Sequence, residues 1–303
     1  MNVSRLYGID DYYSEWSIKR FDGPEQNILS TSSILKWVQG GKFDNFQEIA
    51  ETYYGRPYIK IDDNKYILTK NIKGKKLRIS DESEVLSSIR CLARFHLAAE
   101  GYLMPSGIKT EANWGKCMEK YKTFTCSLEK YSDMLEEKGC KNEFERETKI
   151  YLDLLYKLSR KSIEFFRSDR YIYAIEKSMR KREICINDFT PNSVVMVGER
   201  REPYIVKVFN TAYNMCEEDI ASMARRYIEE TGRIEFLEEI INEYGKIREI
   251  DDISKENIRH MSLFPELPIK IITKYMKKGL YKDDMLKKFL SVSKIFQNLN
   301  MEV

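Results

Sequence analysis

The sequence is poor in the side chains from which most protein metal centres are built. It has only two histidines, His96 and His260, and its six cysteines include no Cys-x-x-Cys pair. A zinc site is therefore not expected. No histidine lies near a cysteine in sequence to activate it, so we expect each cysteine to be a small buried side chain rather than a nucleophile. Unpaired cysteines fit a reduced cytosolic compartment best.

Long apolar segments are also missing. No run approaches the ~18 residues that a membrane helix needs. Asp10 and Asp11 lie where a secretory signal peptide would need an apolar stretch. We therefore expect neither a membrane segment nor export by a signal peptide.

The chain also lacks an excess of one sign of charge. Its 51 basic and 48 acidic residues leave a net charge of +3, which gives no case for nucleic-acid binding. We expect the basic segments 70–78 and 177–182 to be solvated surface. With 303 residues, of which 42% are hydrophobic and 33% charged, the chain has the composition of a globular protein of one large or two modest domains.

The first 70 residues predict a small mixed α and β unit. Residues 16–21 alternate with the strand period, and residues 22–24 (Asp-Gly-Pro) interrupt it. A helix is predicted from Pro24 to the glycine pair 40–41, with Ile28, Ile34, Leu35 and Val38 as its apolar positions. Residues 58–61 and 66–68 then predict a hairpin around the turn residues 62–64 (Asp-Asp-Asn).

From Ser80 onward the pattern is helical, apart from a short β segment at 184–208. Acidic and capping residues at 80–84 predict a helix start, and Val85, Ile89, Leu92 and His96 follow at helical spacing. Further helices are expected at about 114–137, 143–166, 169–179, 218 onward, 235–244, 255–263, 268–277 and 283–298. The sequence thus predicts an α+β protein with a small unit at 1–70, a helical unit at 71–303, and a hinge at about 69–75.

Residues 185–195 (Cys-Ile-Asn-Asp-Phe-Thr-Pro-Asn-Ser-Val-Val) carry the most specific pattern. They resemble the catalytic loop of phosphotransferases of the aminoglycoside and choline kinase type. That loop reads His-Gly-Asp, four residues, Asn, and then a β-branched strand. Its Asp accepts the proton of the attacking hydroxyl, and its Asn holds magnesium. Asp188 matches the catalytic Asp, or is a turn residue that binds backbone amides. Ile186 replaces the His, Asn192 comes one residue early, and Ser193 occupies the Asn position.

Four other segments make the resemblance more specific, to the CotS-type spore coat proteins related to aminoglycoside phosphotransferases. They are residues 58–74, 92–102 (with Arg-Phe-His), 219–221 (Asp-Ile-Ala) and 263–265 (Leu-Phe-Pro). The resemblance implies a protein-kinase-like fold with a reduced β-rich N-lobe and a large, mainly helical C-lobe. It also implies a place in the spore coat, with other coat proteins as partners.

The same resemblance implies a nucleotide site with several departures. Lys19 matches the strand lysine that contacts the α- and β-phosphates, or is a surface lysine on an edge strand. Glu25 is the candidate for its carboxylate partner, or a first-turn glutamate that complements the helix dipole. Only 18 residues precede Lys19, with Gly8 their one glycine. We therefore expect the hairpin that covers the phosphates to be shortened or lost.

The principal metal ligand is the most serious departure. In the family, an Asp-Phe-Asp or Asp-Trp-Asp begins twelve residues before the aspartate that matches Asp219. Counting back reaches Lys207, a cation, whose repulsion of a second like charge at ~4 Å is about 4 kcal/mol at a dielectric constant of 20. A shifted register would place the neutral Asn210 there instead. Lys207 contacting phosphate directly is a further alternative.

These departures predict a catalytically degenerate, kinase-like protein with a structural or scaffolding role in the spore coat and no cofactor. The alternative is an active small-molecule phosphotransferase that uses Asp188 with ATP and magnesium.

Overall fold

The computed structural model describes residues 15–302, with side-chain environments as far as residue 298. Its N-terminal part contains a three-stranded antiparallel sheet of β1 (Trp16–Phe21), β2 (Ile59–Ile61) and β3 (Asn64–Lys70), in the order β1-β3-β2. Strands β2 and β3 form a tight hairpin in which Asp62 and Asp63 both have positive φ angles, 46° and 63°. Aspartate tolerates this left-handed region better than most residues. The predicted hairpin and its turn are confirmed.

Helix α1 (Glu25–Gly40) lies between β1 and β2. Three of its predicted core residues, Ile28, Ile34 and Val38, are fully buried. Their spacing places one apolar stripe of the helix against the protein interior. The helix therefore has the position and the buried face that the sequence predicts.

The segment 43–50 bonds to both parts of the molecule. The Gln47 amide donates to the Ile205 carbonyl at 2.7 Å, and the Ala50 amide donates to the Leu68 carbonyl at 2.8 Å. After β3 the chain enters β4 (Lys75–Lys76), which pairs with β6 (Val194–Val197), and β6 pairs with β7 (Glu202–Ile205). These contacts join the two predicted units. The division of the chain into domains between residues 70 and 71 remains a prediction.

The remainder is mainly helical. Its helices are α2 (Glu82–Ala99), α3 (Lys116–Lys138), α4 (Glu143–Lys149), α5 (Leu152–Phe166), α6 (Asp169–Lys181), α7 (Cys216–Thr231), α8 (Phe236–Gly245), α9 (Asp252–Ser262), α10 (Glu266–Lys278) and α11 (Asp283–Glu302). The single helix predicted at 143–166 is wrong in one respect, since a turn at residues 150–151 divides it into α4 and α5. Periodicity alone does not mark this turn, because buried residues flank it on both sides.

Two apolar clusters support this arrangement. One joins α1, α2, α7 and α8 to the β segment around Ile186 and Phe189, and the other lies among α3, α5, α10 and α11. Cys91, Cys117, Cys185 and Cys216 are buried as predicted, but Cys126 is exposed and Cys140 is intermediate. Within residues 15–302, no helix is both long and apolar enough to cross a membrane.

Candidate active site

The loop that carries Asp188 is held from below by a buried carboxylate. The loop follows β5 (Ile184–Cys185), which pairs with β8 (Ala212–Tyr213). Asp219, in the first turn of α7, is fully buried and accepts hydrogen bonds from the amides of Ile186 at 2.6 Å and Asn187 at 2.8 Å. Hydrogen bonds to an ionised acceptor are the stronger kind, so these two fix the backbone just before Asp188.

Asn187 gives the loop its sharp turn. Its φ angle is +58°, a left-handed conformation that asparagine adopts more readily than other side chains and that glycine adopts freely. Its side-chain amide donates to the carbonyls of Cys185 at 3.2 Å and Asn210 at 2.9 Å, and its oxygen accepts from Asn214 at 2.8 Å. Asn187 thus occupies the glycine position of the His-Gly-Asp pattern.

Ile186 fills the apolar core in place of the expected histidine and is 1% exposed. The loop is braced through Asp219, which is itself held by His96, whose Nε2 lies 3.1 Å from Asp219 Oδ2. The other ring nitrogen of His96 is 2.8 Å from the hydroxyl of Tyr244. His96 is therefore a buried residue whose two ring nitrogens both lie within hydrogen-bonding distance of a partner.

Asp188 is exposed and faces a cleft of about 350 Å³. Charged residues of both signs line this cleft, among them Glu218, Arg225, Glu266 and Lys270, together with the neutral Asn210. An exposed carboxylate at the rim of a polar cleft is accessible to a ligand, which a turn residue committed to backbone amides would not be.

The wall of the cleft contains a buried ionic cluster. Glu266 pairs with Arg225, with Lys120 at 2.8 Å and with Lys270 at 2.5 Å. Burial raises the pKa of Glu266, but the three cations outweigh it and hold that pKa well below its usual range. Glu266 therefore stays ionised and forms ion pairs with all three cations, although its single charge balances only one of theirs.

Glu218 behaves in the opposite way. Its Oε1 atom is buried and has no hydrogen-bond partner in the described part of the chain. Burial raises the pKa of Glu218 to about 7, although a hydrogen bond with Asn214 and the charge of Lys120 lower it. This carboxyl group is therefore partly protonated near neutral pH and has an unused oxygen beside the cleft.

Neither candidate for the magnesium-binding amide is in place. Ser193 is fully buried in the short 3₁₀ turn Pro191–Ser193, where its hydroxyl accepts from the Thr190 amide at 2.9 Å and donates to the Thr190 carbonyl at 2.7 Å. Asn192 is exposed and does not line the cleft with Asp188. The serine hydroxyl is thus used within the turn, and the asparagine lies outside the cleft.

The structure places Asn210, not Lys207, in the cleft with Asp188. Lys207 is exposed and is absent from the cleft lining, whereas Asn210 lines it. Phe209 packs on Phe21 of β1 with ring centroids 5.2 Å apart. The Thr211 amide bonds to the Val208 carbonyl, and β8 starts at Ala212. The expected cation next to Asp188 is therefore replaced by a neutral amide.

Lys19 and Glu25 do not pair with each other. Lys19 is exposed on β1, an outer strand of the described sheet, and no ion pair or hydrogen bond joins it to residues 15–298. Glu25, the first residue of α1, binds Lys60 at 2.8 Å and the Tyr58 hydroxyl. The hydrogen bonds from Lys60 and Tyr58 lower the pKa of Glu25. The prediction that Glu25 pairs with Lys19 is thus wrong, because Glu25 forms its ion pair with Lys60 of the adjacent hairpin.

The donor set around Asp188 does not fit magnesium. Magnesium requires near-octahedral oxygen ligation, usually with one or two carboxylates. In the described part of the chain, no group of three carboxylate, imidazole or thiol ligands includes Asp188. Asn210 is an amide, and the Ser193 hydroxyl is engaged with Thr190.

The prediction of a shortened phosphate hairpin concerns mostly residues 1–14, which lie outside the described residues.

Sequence reasoning missed several residues of the site. Asn187 was visible as the residue between Ile186 and Asp188, and its glycine-like role follows from the His-Gly-Asp pattern. Glu218, Arg225 and Glu266 gave no such signal. They come from α7 and α10, and only the packing of these helices brings them together at the cleft.

No protein-family model matches the chain, and no curated protein matches it. Solved structures do. An aminoglycoside phosphotransferase from Alicyclobacillus acidocaldarius has a TM-score of 0.81 and 18% identity, over 95% of this chain and 85% of that one. Spectinomycin phosphotransferase bound to AMP has a TM-score of 0.59 and 15% identity, over 95% and 89% of the two chains.

A third likeness is to amicoumacin kinase in complex with AMP-PNP, Ca²⁺ and its ligand, with a TM-score of 0.60 and 11% identity, over 96% and 84% of the two chains. At such identities the likeness concerns the fold. The fold prediction is confirmed: the chain has the protein-kinase-like fold of the aminoglycoside phosphotransferases, with a small β-rich lobe and a large, mainly helical lobe.

Proposed function

We propose that this protein is a non-catalytic, kinase-like scaffold that belongs to the spore coat or its assembly. The observation that carries the proposal is the donor set beside Asp188. The positions from which the family holds magnesium contribute a serine hydroxyl bonded to Thr190 and an uncharged Asn210. Phosphoryl transfer depends on metal ions that bridge and neutralise the phosphates, so the loss of these ligands removes the central requirement of the reaction.

The cation side of a nucleotide site is weak as well. Among residues 15–298, Lys19 has no carboxylate partner to fix its ammonium group, because Glu25 binds Lys60 and Tyr58. In active kinases this lysine is held by a glutamate, and the pair must be in place for catalysis. Three other cations near the cleft, Arg225, Lys120 and Lys270, share the single negative charge of Glu266. The cleft lining contains four cationic and five carboxylate side chains, so the described residues offer a triphosphate little net positive charge there.

The scaffolding role explains why the loop is well ordered although its chemistry is degraded. Asp219, Asn187 and His96 keep the loop backbone in one conformation. These buried bonds stabilise the junction of β5 and α7, and the fold retains them for its own stability. The spore coat part of the proposal, with other coat proteins as partners, comes from the sequence resemblance alone.

The second candidate is an active phosphotransferase that uses Asp188 as the base. One observation favours it: Asp188 is exposed at a polar cleft, on a loop whose backbone is held as a catalytic loop requires. In that case Asp188 would take the proton from a hydroxyl acceptor bound in the cleft. This candidate requires ATP, and its metal would need ligands other than those the family uses.

A transfer assay separates the two candidates. The full chain is incubated with ATP, magnesium or manganese, and a pool of sugars, amino sugars and amino alcohols, and phosphorylated products are measured by mass spectrometry. Our proposal predicts no product above that of an Asp188→Asn variant. Product that forms with the wild type and disappears in Asp188→Asn would establish the phosphotransferase instead.

For the coat role, a fluorescent fusion in a sporulating bacterium should collect around the forespore, and a diffuse signal would contradict it.

A further inference from the structure

Three thiol and imidazole ligands meet directly below the Asp188 loop. A ring nitrogen of His96 and the sulfur atoms of Cys185 and Cys216 all lie within 4.8 Å of one another. They come from α2, the end of β5 and the first residue of α7. All three side chains are at most 1% exposed. It is the one such group of three or more ligand residues in the described part of the chain.

We propose that His96, Cys185 and Cys216 form a buried three-residue site for one thiophilic metal ion, zinc(II) or copper(I). The sequence did not predict it, because the ligands are distant in the chain and form no spacing motif. The site is separate from the cleft chemistry and does not depend on the proposed function.

The distances are those of a site that needs little adjustment. Zinc binds nitrogen and oxygen at about 2.0–2.1 Å and thiolate sulfur at about 2.3 Å, so tetrahedral ligands lie ~3.4–3.8 Å apart. The ligand atoms of His96, Cys185 and Cys216 all lie within 4.8 Å of one another, so each pair exceeds that spacing by roughly 1 Å at most. Side-chain movements of about half an ångström per ligand would close the site.

The surrounding hydrogen bonds orient the ligands as they do in metal centres. The Tyr244 hydroxyl lies 2.8 Å from His96 Nδ1, so a metal on Nε2 leaves Nδ1–H free to donate to that oxygen. Asp219 is held by the amides of Ile186 and Asn187. A metal on Nε2 would take the place of the hydrogen bond between Nε2 and Asp219 Oδ2, and both thiols would release their protons to bind as thiolates.

The ligand chemistry selects the ion. Two thiolates and an imidazole favour the soft ions zinc(II) and copper(I) over magnesium or calcium, which prefer oxygen ligands. The three-residue set alone suits copper(I), whereas tetrahedral zinc(II) would need a water molecule as its fourth ligand. Either ion would tie α2, β5 and α7 together below the Asp188 loop.

Metal analysis of the full chain tests the proposal. Protein made with a reductant is loaded with zinc or, without oxygen, with copper(I), then desalted and analysed by mass spectrometry for bound metal. We expect one equivalent of one ion in the wild type, at least a tenfold loss of affinity in Cys216→Ser, and no change in Cys91→Ser. Cys91 is equally buried but lies outside the site.

Cobalt(II) binding to the wild type provides a measurement that does not depend on the folding of any variant. Thiolate-to-cobalt charge-transfer absorption that saturates at one equivalent is the expected result. Retention of zinc or of copper(I) identifies which of the two ions the site holds. Absence of both metals and of the cobalt absorption overturns the proposal. Equal metal retention in Cys216→Ser and Cys91→Ser overturns it as well.

Discussion

Asp219 and Asn187 are joined by a 2.8 Å hydrogen bond from the Asn187 amide to the buried Asp219 carboxylate. Together with the bond from the Ile186 amide, this contact fixes the loop that carries Asp188. The conformation of this loop therefore depends on Asp219, a residue that is distant from the loop in the sequence. The architecture can persist even where the chemistry at Asp188 is lost.

Replacing Asp219 by asparagine should destabilise the protein strongly. The neutral amide loses the charge-assisted bonds and turns an NH₂ group towards a backbone amide or His96, so we expect a loss of about 3 kcal/mol. Asp188→Asn is the matched control, because Asp188 is exposed, and should change stability by no more than about 0.5 kcal/mol. Urea unfolding of both variants measures the difference. Equal stability of the two variants would show that Asp219 does not hold the loop.

The left-handed conformation of Asn187 predicts that alanine at this position destabilises the protein more than glycine does. Asn187→Gly and Asn187→Ala both remove the side-chain bonds to Cys185 and Asn210. Only alanine also pays for a Cβ at φ +58°, so the alanine variant should be less stable than the glycine variant by about 1 kcal/mol. The same unfolding experiment decides it, and an alanine variant as stable as the glycine variant would contradict the assigned backbone.

The register at Lys207 and Asn210 can be tested by adding a carboxylate. Asn210→Asp places a second carboxylate in the cleft with Asp188, so manganese binding followed by electron paramagnetic resonance should tighten at least tenfold. Lys207→Asp makes a larger change of charge but lies outside the cleft lining, so it should have little effect. If Lys207→Asp creates the stronger site, the family spacing is right and the register described here is wrong.

Burial of Glu218 predicts that replacing it with a neutral residue changes the stability of the protein in a pH-dependent way. Burial raises its pKa from 4.5 to about 7, so the folded protein binds this proton more tightly than the unfolded chain does. The associated stability is present below pH 4.5 and is lost as the pH rises through about 7. Glu218→Gln avoids this loss. Its stability relative to the wild type should therefore be up to ~3 kcal/mol greater at pH 8 than at pH 5. A difference that does not change with pH would show that Glu218 titrates normally.

Local sequence patterns predicted much of the fold. Helix α1, the β2–β3 hairpin with its aspartate turn, and the start of α2 at Asp81 follow from periodicity and capping chemistry. The position of Asp188 followed from a motif that is itself local. These features depend on residues that are neighbours in the chain, so the sequence specifies them almost directly.

The rest depends on contacts between distant segments. Glu25 pairs with Lys60 because the β2–β3 hairpin packs beside the start of α1, which no local pattern shows. The family spacing predicted Lys207 in the cleft, whereas Asn210, the residue of the alternative register, lines it. His96, Cys185 and Cys216 meet only after three separate elements have packed. Charge pairing and ligand clustering are therefore the parts that sequence reasoning could not reach.

Thermal unfolding with ATP and magnesium tests most directly whether the phosphoryl-transfer machinery is lost while the fold persists. A ligand at a hundred times its dissociation constant adds about 2.7 kcal/mol to the free energy of unfolding, which would raise the Tm by several degrees. We predict no magnesium-dependent rise at millimolar ATP, and the same Tm for wild type and Asp188→Asn. A rise of several degrees that requires magnesium and vanishes in Asp188→Asn would contradict this account.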